Sequence, residues 1–303
     1  AASDVYKRQD WECPTDGDTV IPYQQQIANL QFNCRPEWLP QISKYFNVMN
    51  LANNHSGDMG EATFIKTQNY LTKAGIQTVG NYDPAVKKDI CEVIALPVRV
   101  KMPDDSSKKG TLPVAYCAWH YFFRLPRAGE IETMKPYAEK MPVFGLMHVG
   151  VEYQAKADPN QQAVARKIID NGADFVVGNS PHWVQNSEVY KGKLIAYSTG
   201  NFIFDQLESE TNRGASIEVS ATVNYDENVA KWLELGEQCK KQYDDCLQKA
   251  VDQNLQKIDM KLTYDVVANT SGVRTVTKKA PANIQAAVEQ RMNWASVKKE
   301  LGQ

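Results

Sequence analysis

The stretch Asn47-Val48-Met49-Asn50-Leu51-Ala52-Asn53-Asn54-His55-Ser56-Gly57-Asp58-Met59-Gly60-Glu61 decides the fold. Residues 46–52 are mostly apolar and short enough for a buried strand. That strand stops at Asn53, Asn54 and His55, three side chains able to bind metal or polar ligands. Asp58 and Glu61 stand three apart, a spacing that predicts capping of a helix with Phe64, Leu71 and Ala74 on one face. Gly75 supplies the stop. Polar ligands placed where a strand gives way to a helix occupy the usual binding edge of an open α/β sheet.

Outward from this stretch the plan repeats. Residues 141–149 read as a second buried strand that delivers His148 at its end, followed by Gly150, Glu152 and Tyr153. Asp158 and Pro159 form an N-cap and first helical position. Residues 175–178 read as a third strand, and the loop after it is Asn179-Ser180-Pro181-His182. Gly192 centres a hairpin turn into a strand over 194–197. Ser198-Thr199-Gly200-Asn201 then interrupts that strand before 202–204, and Asp205 closes it.

Further strands are expected over 77–80, 91–101 and 112–123, with 104–110 a solvated polar loop. His120, between Trp119 and Tyr121, reads as a packed residue rather than a ligand. Ile217, Val219, Ala221 and Val223 alternate strictly, as in a strand with one dry face. Residues 262–267 and 273–276 are expected to pair as a hairpin around 269–272, and Pro281 opens a final helix. Residues 226–257 are charge-rich and helical and read as an insertion. One domain is therefore expected over 10–225 and 258–303, with residues 1–9 outside the fold and the natural beginning of the protein further upstream.

With 303 residues, 43% of them hydrophobic and 23% charged, the chain can bury a full core. A formal net charge of -2 argues against nucleic acid as a partner, which calls for a basic excess. No stretch approaches the roughly 20 apolar residues of a membrane helix. The six cysteines form no Cys-x-x-Cys pair, which disfavours a zinc knuckle; their even number permits disulfides without proving any. In one straight helix Cys239 and Cys246 would lie about 10 Å apart, so a bond between them requires a broken helix.

Of only four histidines, His55, His148 and His182 follow expected strands at their C-terminal ends. Parallel neighbouring strands would bring them to one edge with Asn53, Asn54 and Glu152. Imidazole, amide and carboxylate donors together suit Zn, Mn or Fe better than Ca or Mg. Paired metals of this type activate water and hold the attacking and leaving oxygens of a phosphoester or amide. No Gly-x-Ser-x-Gly elbow supports a serine hydrolase.

Leu51-Ala52-Asn53-Asn54-His55, His148-Val149-Gly150-Val151-Glu152-Tyr153, Gly172-Ala173-Asp174 running to Pro181-His182, and the run from Lys191 through Ser198-Thr199-Gly200-Asn201 to Asp205 occur in the order seen in the CapA family, which the chain resembles. These are capsule-synthesis proteins associated with poly-γ-glutamate. The resemblance implies a layered α-β-β-α sandwich of the calcineurin-like metallophosphoesterase type and one or two divalent ions. By it, Glu12, Asn54, His148 and His182 would be metal ligands, Asn54 and His55 catalytic, and Asn53, Glu152, Asn179 and Asn201 supporting or substrate-contacting. It implies a metal-dependent hydrolase of a phosphoester or surface polymer, membrane-anchored at the cell surface beside capsule-synthesis machinery. The alternative it leaves is a non-catalytic surface protein that guides an anionic polymer. Two departures bear on the site. The Gly-Asp ending of the family's first strand is expected to be missing, and Asn179 and Ser180 stand where many members carry a His.

Overall fold

A computed structural model describes residues 7–204, 206, 208–240, 243–273 and 276–303. The described residues form a mixed α/β structure with two sheets. The smaller joins β1 (Arg8–Asp10), β2 (Val48–Asn50) and β3 (Gln77–Val79), all parallel. The larger holds β4 (Cys91–Lys101), β5 (Ser107–His120), β6 (Val143–His148), β7 (Phe175–Asn179), β8 (Ser187–Tyr190), β9 (Lys193–Ala196), β10 (Arg213–Asn224), β11 (Lys261–Val273) and β12 (Val276–Lys279). Its order is β12-β11-β10-β4-β5-β6-β7-β9-β8, and β5, β6, β7 and β9 run parallel at its centre. Central parallel strands are covered on both faces, which is why β6 reads as a continuous apolar run.

Three apolar clusters define the layers. Helix Glu61–Lys73 packs Phe64 and Leu71 against Met49 and Leu51 on the outside of the small sheet. Val48, Ala52 and Val79 face Ile94, Val114, Ala118 and Leu146 between the two sheets. On the far side of the large sheet lie helices Pro159–Asp170, Glu227–Cys239 and Cys246–Asp252. The charge-rich insertion therefore packs on the core, with Trp232, Leu235 and Ala250 buried.

Several expectations are corrected. Residues 8 and 9 belong to β1, whose backbone pairs with β2, so the fold begins before residue 10. That strand ends at Asp10, two residues before Glu12. The polar segment 107–110 extends β5 because long β4 offers it backbone partners as far as Lys101. Residues 202–204 form no strand; Asp205 lies outside the described residues. The expected hairpin forms with a shifted register: β11 runs on through 269–272 and pairs antiparallel with β12, Asn269 opposite Lys279 and Ser271 opposite Thr277. Residues 274 and 275 lie outside the described residues. Gly60, at φ 79°, precedes helix Glu61–Lys73 without a side-chain cap, because Asp58 is turned to the backbone of Phe32 and to His55.

All six cysteines are paired, as Cys13–Cys34, Cys91–Cys117 and Cys239–Cys246. Cys91 and Cys117 face each other across the antiparallel β4–β5 ladder, Cα atoms 4.1 Å apart. Helix Glu227–Cys239 ends at Cys239 and the next begins at Cys246, the break that brings their Cα atoms within 5.9 Å.

Candidate metal centre

β5 and β6 point alternate residues to the two faces of the large sheet. Trp119 and Met147 join the cluster under the helices, whereas Ala118 and Leu146 face the small sheet. His120 and His148 follow with the same parity, so both turn toward the small sheet at the C-terminal edge. From across the gap β1 brings Asp10, and Glu12 follows two residues later.

Asp10 Oδ2 lies 2.9 Å from His148 Nδ1, and Glu12 Oε1 lies 3.4 Å from the same nitrogen. One ligand atom from each of Asp10, Glu12 and His148 falls within 4.8 Å of the other two, so the three can hold a metal ion. Burial raises the Glu12 carboxyl, and Asp10 adds to this against the opposing imidazoles of His148, His182 and His55. Burial acts to lower His148, but the Asp10 hydrogen bond and the charges of Glu12, Asp10 and Glu152 leave it above its ordinary value. Two carboxyls and an imidazole this close could together hold a cation.

Asn53 is wholly buried and joins the two halves of the rim. Its Nδ2 donates to Asp10 Oδ1 at 3.2 Å and to the Trp11 carbonyl at 3.0 Å. Its Oδ1 accepts from the backbone N–H groups of His55 and Ser56 and from Ser56 Oγ. Neighbouring Asn54 is half-buried and makes no hydrogen bond to the described residues. His55 Nδ1 lies 3.0 Å from Asp58 Oδ2, which leaves Nε2 as its open nitrogen.

His182 sits beyond His148, with Nε2 3.5 Å from Glu152 Oε1 and Nδ1 2.8 Å from Asn201 Oδ1. Asn201 Nδ2 donates to the Thr211 carbonyl, which can only accept, so its Oδ1 faces His182 and Nδ1 carries the proton. Tyr153 stacks on the His182 ring and Phe204 leans on it. Asn179 Oδ1 accepts from Thr199 Oγ1 at 3.4 Å. A groove of about 600 Å³, lined among others by Phe122, Phe123, Leu125, Val151, Glu152 and Tyr153, opens beside this end.

Thus the fold gathers Glu12, His148, Glu152, His182, Asn53 and Asn201 into one linked rim, and His55 lies within the electrostatic reach of Glu12. Two neighbours were not anticipated. Asp10 carries little sequence signal because a three-residue strand has almost no periodicity; only its place as an acidic side chain two before Glu12 marks it. His120, expected to be packing alone, is buried but stands beside His148 with ring centroids 5.7 Å apart.

A mixed α/β fold with a carboxylate–imidazole rim between two sheets defines a class that comparison with known proteins narrows. Residues 6–101 and 127–206 match the family described as bacterial capsule synthesis protein PGA_cap, and the chain belongs to that family. It is 29% identical over 205 residues to the capsule biosynthesis protein CapA of Bacillus anthracis, covering 65% of this chain and 49% of that protein. Against the PGA biosynthesis protein CapA of Bacillus subtilis it is 32% identical over 182 residues, covering 57% and 46%. A probable polyglutamine synthesis accessory protein of Mycobacterium tuberculosis is 28% identical over 210 residues, covering 64% and 55%. The chain spans about half the length of the curated relatives it matches.

Proposed function

We propose that this protein acts in synthesis of a poly-γ-glutamate-type capsule, as a metal-dependent hydrolase of a phosphoester or of the polymer itself. The observation that carries the reading is the convergence of Asp10, Glu12 and His148 from two sheets on one point. The layering of helix, small sheet, large sheet and helices supports the four-layer sandwich of calcineurin-like metallophosphoesterases. Names of relatives that refer to capsule or polyglutamate synthesis support action at the cell envelope. So do three disulfides, which persist in oxidising compartments.

Asp10, Glu12 and His148 would hold a first divalent ion such as Mn, Zn or Fe, with His182 and Glu152 beside it. When bound, that ion supplies Lewis acidity for hydrolysis. Asn53 keeps Asp10 turned to the cleft and ties down the loop that carries His55. Asp58 orients His55 at Nδ1, which leaves Nε2 to deliver a proton to a leaving group. Asn201 fixes the His182 tautomer with a lone pair at Nε2. The groove beside Glu152 gives an extended substrate a place to lie.

The test loads purified protein with Mn or Zn, measures bound metal by mass spectrometry, and screens chromogenic phosphoesters and poly-γ-glutamate for cleavage. The wild type should hold metal and act, and Asp10→Asn and His148→Ala should do neither. Equal, negligible metal in all three sinks the enzyme reading. A second reading, a non-catalytic surface protein holding an anionic polymer for membrane-bound machinery, draws on Asn179 and Ser180 standing where many relatives have an imidazole. It predicts polymer binding that survives a chelator.

A further inference from the structure

Resting on the cation-site reading above, we propose that His120, which lies beside but outside the 4.8 Å group of Asp10, Glu12 and His148, is a further imidazole donor of that centre, supplying Nε2 when an ion binds. Three observations carry it. First, the β5–β6 register sets His120 directly opposite His148, so the two side chains leave the same face of the sheet. Second, His120 Nδ1 lies 3.0 Å from the Tyr82 carbonyl, which can only accept. Nδ1 therefore carries the proton and Nε2 holds the lone pair, the tautomer in which metal-bound histidines are commonly fixed by a backbone carbonyl. Third, that Nε2 is buried and has no hydrogen-bond partner among the described residues.

A histidine kept only for packing would not need an imidazole whose second nitrogen is taken out of water and left unanswered. Buried polar atoms are normally satisfied, and this one stands beside a carboxylate–imidazole group. The neighbourhood agrees: His148, which shares a ring contact with His120, already bonds Asp10. Residues 102–126, which include His120, fall between the two stretches matched to the family, so this donor is read from the geometry of this chain.

The experiment compares wild type, His148→Ala, His120→Phe and His120→Asn as full chains. Asn keeps an amide N–H for the Tyr82 carbonyl while removing the nitrogen at the Nε2 position. Zn affinity is measured by chelator competition, coordinated imidazoles are counted by pulsed electron paramagnetic resonance on the Cu(II)-loaded protein, and melting is followed in EDTA. We expect both His120 variants to lose at least tenfold in Zn affinity and one imidazole from the count. His120→Asn should melt in EDTA as the wild type does. An unchanged imidazole count in both variants overturns the proposal, whether or not affinity falls. If the wild type binds Zn and His148→Ala does not, that failure belongs to His120 alone. If neither binds Zn, the parent reading fails and the proposal with it.

Discussion

The Asn53 amide ties the loop after β2 to Asp10 and the Trp11 carbonyl on the far strand, and it accepts two backbone N–H groups. Asn53→Ala would leave those buried donors without a partner, at about 1–3 kcal/mol for each unsatisfied group. We therefore expect a loss of at least about 2 kcal/mol in denaturant titration. The Asp10–His148 contact yields a second expectation. Asp10→Asn removes the carboxylate that holds His148 above its ordinary pKa, so the His148 ring should titrate at lower pH by NMR. A third concerns Glu92 on β4, where burial, with Asp244 and Asp89 adding to it, pushes the carboxyl up to about 8. The native state keeps this proton where the unfolded chain, at 4.5, has lost it. Its contribution is present below the unfolded value and is lost as pH rises toward 8. Glu92→Gln should flatten that decline, raising the melting temperature more at pH 8 than at pH 5; equal shifts at both would contradict it.

Among the elements, the β4–β5 pair is the longest local ladder and is clamped by Cys91–Cys117. A cross-link closing a loop of 26 residues restricts the unfolded chain by about 3.5 kcal/mol. The double variant Cys91→Ala, Cys117→Ala should lose about that much in equilibrium unfolding, with β5 still paired to β6 by hydrogen exchange. The bond between Cys239 and Cys246 has another role. It fixes the break between two helices whose buried faces, at Trp232, Leu235 and Ala250, cover the large sheet. Apolar spacing in this segment foretold helices, but where they break depends on the sheet beneath them.

For the whole molecule, the group that could hold a cation draws on both sheets, so an ion bound there should hold them together. Zn or Mn at 100 times its Kd stabilises the native state by about 2.7 kcal/mol. Melting temperature should therefore rise with metal in the wild type and not in His148→Ala; the same rise in both would place the ion elsewhere. Much of this architecture was legible in the chain. The apolar runs before Asn53, His148 and Asn179 are local, and each became a strand ending at the rim. Alternation at Ile217, Val219, Ala221 and Val223 marked β10, and Asp158 capped its helix as its side chain allows. What escaped was set by distant partners: β1 exists because β2 offers it a ladder, and the end of β5 because β4 continues beside it. By itself, then, the sequence determined the strand-end histidines, the helix stops and the family, because short-range hydrophobic period and motif order carry them. Only the tertiary structure decided that Asp10 meets His148, that His120 stands at its side and which cysteines pair. Those contacts join residues 21 or more positions apart, or across a helix break, and no local pattern encodes which strands become neighbours.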